Sequence, residues 1–316
     1  MRKSSPYFIF MAMAFLMTAP MAYACSSCGC TVCLLGKGRT ALGQGQKWYF
    51  KYLYEQEKWH EKSAREANQL QNDGHDVHDK TTENTHHFEL GRHFTDDFSV
   101  FVDLPYVVRN AVEISDSDNL GAKQTSQGVG DLQLIGDYRF WHDNNNALSL
   151  AGGLKFPTGD THVKDSAGGR FETDMQPGSG AYNYIVGGIY KMQSGRVSVT
   201  ANTSYVFTTK GAQGFEFGDL FAASVYGVYL FNPGSKHFRT HVGVDAVYQD
   251  EQKEKTGAKK NPDSGGQMVL IGPAFRVDTS RYLSFTGSFL YPVYRDLNGL
   301  TQKLDLEWTL AGEVRF

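Results

Sequence analysis

The sequence has little of what marks several common protein classes. Only 9 of its 316 residues are proline and 4 are cysteine. No apolar run outside the extreme N-terminus approaches the roughly 20 residues that a membrane-spanning helix needs. Lysine and arginine together (31) do not outnumber aspartate and glutamate (34), so we expect no nucleic acid partner. Because 41% of the residues are hydrophobic, disorder is excluded and a β-protein remains, either soluble or embedded in a membrane.

The first 24 residues have the pattern of a secretory signal. Arg2 and Lys3 precede an apolar stretch over residues 7–17, which is too short to span a membrane as a helix. Ala22-Tyr23-Ala24 then forms a small-x-small cleavage site directly before Cys25. We therefore predict a cleaved Sec-type signal over 1–24, with cleavage near Ala24. Lipidation at Cys25 is an alternative, although Ala22 stands where lipoprotein signals usually carry leucine.

The body of the chain alternates between apolar and polar residues with period two. At the C-terminus, the apolar positions are Leu304, Leu306, Trp308, Leu310, Val314 and Phe316, and charged residues such as Asp305 and Glu307 lie between them. Successive side chains of a strand point to opposite faces, so one face is apolar and the other polar. Such segments continue for about 10–13 residues, longer than usual soluble strands and near the length that crosses a bilayer. Aromatic residues also collect at their ends, as in an interfacial girdle.

This pattern predicts an all-β fold, a transmembrane antiparallel β-barrel of about twelve strands over residues 46–316. Short periplasmic turns and long extracellular loops alternate along the chain, and an even strand number suits a single-chain outer-membrane barrel. Outer-membrane lipid is the expected surrounding. The predicted strands are 46–56, 85–94, 98–109, 129–140, 147–156, 181–191, 196–207, 220–231, 237–249, 267–277, 281–292 and 303–316, and the long loops are 57–84, 110–128, 157–180, 208–219, 250–266 and 293–302.

The last strand carries a second signal. A terminal Phe316, preceded in register by Val314, Leu310 and Trp308, resembles the C-terminal signal of outer-membrane proteins. We therefore expect the barrel-assembly machinery to be a partner. Any amphipathic last strand would have a similar pattern, which is the alternative.

All four cysteines lie in a short segment before the barrel. Cys25, Cys28, Cys30 and Cys33 fall within the predicted periplasmic segment 25–45. Thiolates at this spacing could bind a soft metal such as Zn or Cu, or an Fe-S cluster, with a periplasmic redox or metal partner. Two disulfides are the structural alternative, which an oxidising compartment favours.

Histidines are concentrated around the first long loop. Among them, His75 and His78 have the spacing of a metal-ligand pair, and imidazole suits Zn and Cu. A solvated polar loop is the commoner explanation of this composition.

The polar positions of the strands predict a charged lumen. Charge rings govern selectivity in narrow channels, whereas a salt-bridged network would only fill the interior. The sequence leans towards the narrow channel. The predicted lumen-lining residues are Lys51, Glu55, Glu89, Asp131, Asp137, Arg139, Arg196, Arg239, Asp245, Asp305, Glu307 and Arg315.

Three short motifs at strand–loop junctions are similar to a known family. They are Gly128-Val129-Gly130-Asp131, Phe156-Pro157-Thr158-Gly159-Asp160 and Gln176-Pro177-Gly178-Ser179-Gly180. Over roughly residues 85–316 the chain resembles the outer-membrane family named for the MetA pathway of phenol degradation. That resemblance implies a transporter-like barrel and passive uptake of aromatic or other small hydrophobic compounds. The cysteine-rich N-terminus departs from the family, and the charged lumen fits polar solutes better.

Passive passage of a small-molecule solute is therefore the predicted function. A metal-binding or redox-linked outer-membrane protein that uses the N-terminal cysteines is the alternative. An outer-membrane lipid hydrolase is less favoured: His162, Asp165 and Ser166 share one loop, but a triad requires a specific geometry. We expect no enzyme and no catalytic residues.

Overall fold

The computed structural model describes residues 47–60, 78–114, 120–234 and 238–316. Two short 3-10 turns, Thr173–Met175 and Ala212–Gly214, are the helices in this part of the chain. No helix among the described residues is long and apolar enough to cross a membrane. The strands are β1 (Trp48–Trp59), β2 (His78–His93), β3 (Phe98–Ile114), β4 (Leu120–Val129), β5 (Gln133–His142), β6 (Asn146–Lys155), β7 (Asn183–Ser194), β8 (Val197–Phe207), β9 (Phe215–Glu216), β10 (Leu220–Leu230), β11 (Arg239–Glu251), β12 (Lys255–Thr256), β13 (Lys259–Lys260), β14 (Gly266–Asp278), β15 (Leu283–Leu297) and β16 (Leu304–Arg315).

The long strands close into an antiparallel barrel. β1 pairs with β16, with Tyr49 opposite Arg315, and on its other side with β2. β3 pairs with β5 in its first half and with β4 in its second half, so β4 and β5 together form one interrupted wall strand. The wall therefore has 12 strands, and the predicted antiparallel barrel is confirmed. Closure leaves no exposed sheet edge, which suits a structure surrounded by lipid.

The strands on one side of the barrel continue further than the sequence predicts. The expected loop 110–128 is in fact a hairpin, because β3 runs to Ile114 and β4 begins at Leu120. Residues at both ends of the expected loop 57–84 belong instead to β1, which ends at Trp59, and to β2, which begins at His78. These extensions pair mostly through polar residues, so they lack the apolar face by which the other strands were recognised. β2, β3 and β4 thus form a three-stranded wall that rises above the rest of the barrel.

Connections at the two ends of the barrel differ in length. The turns after β2, β5, β7 and β14 span only a few residues and lie at the same end as Trp48 and Phe316. Longer segments, including 156–182 and 208–219, lie at the other end, where β9, β12 and β13 form a small separate sheet. In outer-membrane barrels the short turns face the periplasm and the long loops face outside.

The two faces of the wall have the expected opposite character. On the outer face, alternate apolar residues are broadly exposed, for example Leu150 (59%), Leu310 (45%) and Val314 (44%). The inner face instead carries both polar and apolar side chains, most of them buried. In a bilayer, the outer residues contact acyl chains and so lose their contact with water.

Candidate functional site

The inner wall carries an apolar cluster among buried polar side chains. β3, β5, β6, β7, β8 and β10 each contribute inward residues to one cluster, together with Tyr49 of β1. Each member is at most 7% exposed, so these side chains fill the lumen beside these strands and narrow any passage. The other members are Phe101, Ile135, Ala151, Ile185, Ile189, Val206 and Leu220.

A group of buried polar side chains lies on β1 and β2. Lys51 Nζ lies 3.5 Å from Glu89 Oε2, and both side chains are 1% exposed. The Tyr49 hydroxyl donates a hydrogen bond to Glu89 Oε1 at 2.5 Å. A buried ion pair with a further hydrogen bond is stable only while all its partners are present, because removal of one leaves an uncompensated charge.

A buried histidine–aspartate pair lies next to this group. His87 Nδ1 of β2 is 2.9 Å from Asp103 Oδ2 of β3, and both residues are almost fully buried. The adjacent His86 points to the outer face, where its Nδ1 meets the Tyr52 hydroxyl at 2.7 Å. Strand alternation therefore separates these neighbouring histidines to opposite sides of the wall. The sequence pattern had suggested only a histidine-rich region.

Three carboxylates converge further along the barrel, on the paired strands β1 and β16. Oxygen atoms of Glu55, Glu57 and Glu307 all lie within 4.8 Å of one another. Glu55 and Glu307 were predicted to line the lumen, whereas Glu57 was not. Carboxylates this close repel one another unless a cation or a shared proton lies between them.

The segment 156–182 folds inward at the end of the barrel that carries the long loops. Arg109 of β3 binds Glu83 of β2, with Nε 2.6 Å from Oε2, and both are buried. Its Nη1 also donates to the backbone carbonyls of Asp174 (2.6 Å) and Gln176 (2.9 Å). The segment thereby lies across the inner face of the raised wall. Neither Arg109 nor Glu83 was recognised from the sequence, because both fall in or beside predicted loops.

Apolar contacts reinforce this anchor. Phe171 and Met175 of the segment pack on Ala111, which faces inward from β3. Gln176 adds hydrogen bonds from its side chain to the carbonyls of Val163 and Phe171. The segment is thus a packed cover over one side of the mouth.

A polar cavity opens at the opposite, short-turn end of the barrel. Its volume is about 280 Å³. Arg139 and Asp97 in its wall form an ion pair with a 2.8 Å contact. Amide, hydroxyl and charged groups can all contact a solute there, and the lining includes Asp97, Asp137, Arg139, Lys191, Gln193 and Thr200.

Comparison with known proteins gives both a family and a fold. A family model described as "Putative MetA-pathway of phenol degradation" matches residues 69–295. The chain belongs to this family. The resemblance on which the sequence analysis relied is therefore confirmed.

A solved structure of another protein has the same barrel fold as this member of the MetA-pathway family. An outer membrane channel of Pseudomonas putida F1 is 15% identical, with a TM-score of 0.60 over 87% of this chain and 98% of that chain. The β domain of the Bordetella autotransporter BrkA is more distant, at 7% identity and a TM-score of 0.48 over 86% of this chain and 100% of that chain. Comparison with curated proteins gives no significant match.

The motifs that suggested the MetA-pathway family form a structural clamp. Asp131 is buried and accepts hydrogen bonds from the Gly159 backbone N–H (3.0 Å) and the Ser179 backbone N–H (2.8 Å). A Cβ on Gly159 would lie 2.7 Å from atoms of both Gly130 and Gly178, so only glycine permits this close approach. Asp131 thus joins three adjacent wall segments and does more than add a negative charge to the lumen.

Three predicted lumen residues lie elsewhere, and these predictions need correction. The side chain of Asp305 is 48% exposed and contacts His60 and Arg295, because a bulge opposite Lys58 and Trp59 turns Leu304 inward instead. Arg196 lies in the turn after β7 and is exposed.

Arg239 is the third of these residues and lies at the rim of the barrel. Its side chain is 56% exposed and ion-pairs with Asp278 at 3.7 Å. It occupies an inward-facing position of β11 but lies at the rim, not inside the lumen.

Two other predicted lumen residues do face inward. Asp245 of β11 is 0% exposed. Arg315 is 6% exposed, and its Nε donates to Glu313 at 2.6 Å.

Several predicted sites lie outside the described residues. They are Cys25, Cys28, Cys30, Cys33 and His75, together with the predicted signal and the whole of segment 25–45. His78 begins β2, but its side chain is not described. Leu310, Val314 and Phe316 form an exposed outer stripe, and their role with Trp308 in assembly stays a prediction.

Two residues of the lipase alternative, His162 and Asp165, make contacts within their own loop. His162 contacts Thr161, with Nδ1 3.0 Å from the hydroxyl oxygen. Asp165 Oδ1 accepts backbone hydrogen bonds from Ala167 and Gly169 at 2.8 Å each. These contacts are those of a loop that stabilises its own turn.

Proposed function

We propose that the protein is an outer-membrane channel through which a small solute diffuses without energy coupling. The observation that carries this proposal is the closed barrel, whose inner wall carries both apolar clusters and buried polar and charged groups. A polar cavity at the short-turn end offers a further position along the barrel axis where a solute can bind. No chemical step is needed for such passage.

The mixed inner wall supports a small solute with polar groups. Apolar side chains such as Ile185 and Ile189 accept an aromatic or aliphatic portion, while buried polar residues such as Lys51 and Glu89 supply charged and hydrogen-bonding partners. Because most inward side chains are buried, the packed interior limits the size of what can pass. Both small polar compounds and polar aromatic compounds fit these conditions.

The relatives support the same conclusion. The structure of similar fold from Pseudomonas putida is described as an outer membrane channel. The family description refers to phenol degradation, which makes phenols one solute class to test.

Planar-bilayer recording tests the channel directly. Purified, folded protein should produce discrete conductance steps, whereas the same sample denatured by heat should produce none. A liposome-swelling panel of sugars, phenols and small anions then ranks the solutes. A barrel that inserts in one orientation, stays folded and never conducts would contradict the proposal.

A further inference from the structure

Most arginines of the described chain are neutralised by carboxylates. Ion pairs within 4.0 Å join acidic side chains to Arg109, Arg139, Arg239, Arg276, Arg295 and Arg315. The other described arginines form no such ion pair: Arg170 donates to a backbone carbonyl, Arg281 lies 4.6 Å from the ring centroid of Tyr282 in the turn after β14, and the side chains of Arg92 and Arg196 contact aromatic residues of neighbouring strands. Arg92 and Arg196 both lie at the short-turn end of the barrel, beside aromatic residues of the outer face.

Arg92 lies between two aromatic rings on the outer face. Its Cζ is 4.9 Å from the ring centroid of Trp48 and 4.9 Å from that of Phe94. Trp48, directly opposite in the β1–β2 pairing, is 37% exposed, and Phe94 is 54% exposed. Arg92 Nε is buried and has no hydrogen-bond partner in the described chain. The rings therefore fix the guanidinium group without neutralising it.

Arg196 has a related arrangement at a different place on the rim. It is exposed in the turn between β7 and β8, and its Nη1 donates to the Tyr229 hydroxyl at 3.3 Å. Tyr229 belongs to the outer face of β10 and is 44% exposed. Because β3, β5 and β6 lie between β2 and β7 in the wall, Arg92 and Arg196 are separate sites.

Both arginines lie at the level of the lipid headgroups, and this position indicates which chemical group can bind them. Exposed aromatic residues at the strand ends mark the level of the lipid headgroups. At that level a charged side chain costs little, and an anionic phosphate is the nearest abundant group. Guanidinium groups match phosphate geometry and keep their charge at every physiological pH.

We propose that Arg92 and Arg196 each bind the phosphate of a phospholipid in the leaflet on the periplasmic side. Trp48 and Phe94 hold the first guanidinium group and contact the start of the acyl chains. Tyr229 positions the second. Transport plays no part in this inference, so it can hold or fail independently of the channel proposal.

Native mass spectrometry of the folded full-length mature protein tests the proposal. Phosphatidylglycerol is added to detergent-solubilised protein, and a glycosyl diacylglycerol with the same acyl chains serves as the phosphate-free lipid. We expect retention of phosphatidylglycerol but not of the glycolipid. R92Q and R196Q should each weaken lipid retention by about fivefold at one site, and the double variant should lose both sites.

The matched control removes an equal charge at the other end of the barrel. Arg170 is exposed and donates to the Thr161 carbonyl, so R170Q should retain wild-type lipid binding. Slower gel migration after heating checks that every variant is folded. Equal retention of both lipids, unchanged retention in the double variant, or complete competition by millimolar inorganic phosphate would each overturn the proposal.

Discussion

A single buried carboxylate organises the region where three wall segments meet. Asp131 accepts two backbone hydrogen bonds and one from the Ser179 hydroxyl (2.5 Å), and Lys155 Nζ lies 3.8 Å away. An aspartate at an inward position was expected from alternation, but its partners were not, because they come from loops distant in sequence. The charge therefore holds the wall together at a point where the strands are interrupted.

Removal of that charge should weaken the barrel. In D131N, one acceptor oxygen becomes an amide donor, so we expect a loss of about 2 kcal/mol in the free energy of unfolding. Urea unfolding in lipid vesicles, followed by tryptophan fluorescence, measures the change. D305N is the control, since an exposed ion pair contributes less than about 1 kcal/mol. Equal losses in D131N and D305N would show that the clamp has no special role.

Alternation predicts the face of a residue only while the strand is regular. Lys51 and Glu89 face inward as predicted, and their pairing follows from the register of β1 and β2. Asp305 fails because one bulge reverses the parity of the residues beyond it. A bulge depends on pairing with another strand, so the local sequence does not reveal it.

Among the elements, the covering segment 156–182 depends on one side chain. Arg109 joins it to β3 and also neutralises Glu83. R109Q should free the segment and leave Glu83 buried without its partner, at a cost of about 3–5 kcal/mol. The double variant E83Q/R109Q removes the unpaired charge, so most of this loss should be recovered.

The two variants separate anchoring from stability. Both should expose the segment to trypsin at Lys164 and Arg170 and raise the mean single-channel conductance, although only R109Q should be strongly destabilised. T125A, on the outer side of the raised wall, is the control. Unchanged proteolysis and conductance in both variants would show that Arg109 does not hold the segment.

Strands inside the bilayer could be predicted from the sequence better than those above it. The outer face must be apolar where it meets lipid, so β7, β8 and β10 have clear patterns with nearly correct ends. β4 has no such requirement, and its pairing with β3 uses residues such as Gln124 and Ser126. Polar residues at both faces favour a loop in any analysis of periodicity.

At the scale of the whole molecule, the barrel should behave as a closed membrane-embedded unit. An unheated sample should migrate faster than a boiled one on a detergent gel, because closed barrels stay compact. The protein should also remain in the membrane pellet after extraction at alkaline pH, since lipid contacts the apolar outer face. Release of folded monomer into detergent-free buffer would contradict the membrane assignment.

The global architecture follows from features that many strands share. Strand count, antiparallel order and closure were predictable because each requires only the repeated alternation and the difference in connection length. The grouping of inward residues into apolar clusters and polar groups was not, because the members of each group come from strands distant in sequence. Only the closed barrel brings them together.

The raised wall of β2, β3 and β4 has a practical consequence. β3 and β4 remain paired up to Ile114 and Leu120, at the end of the barrel that carries the long loops. A short epitope inserted there would be joined to a supported stem and would not disturb the closed part of the fold. Antibodies applied to intact cells would then reach it, and the hairpin could serve as a site for surface display.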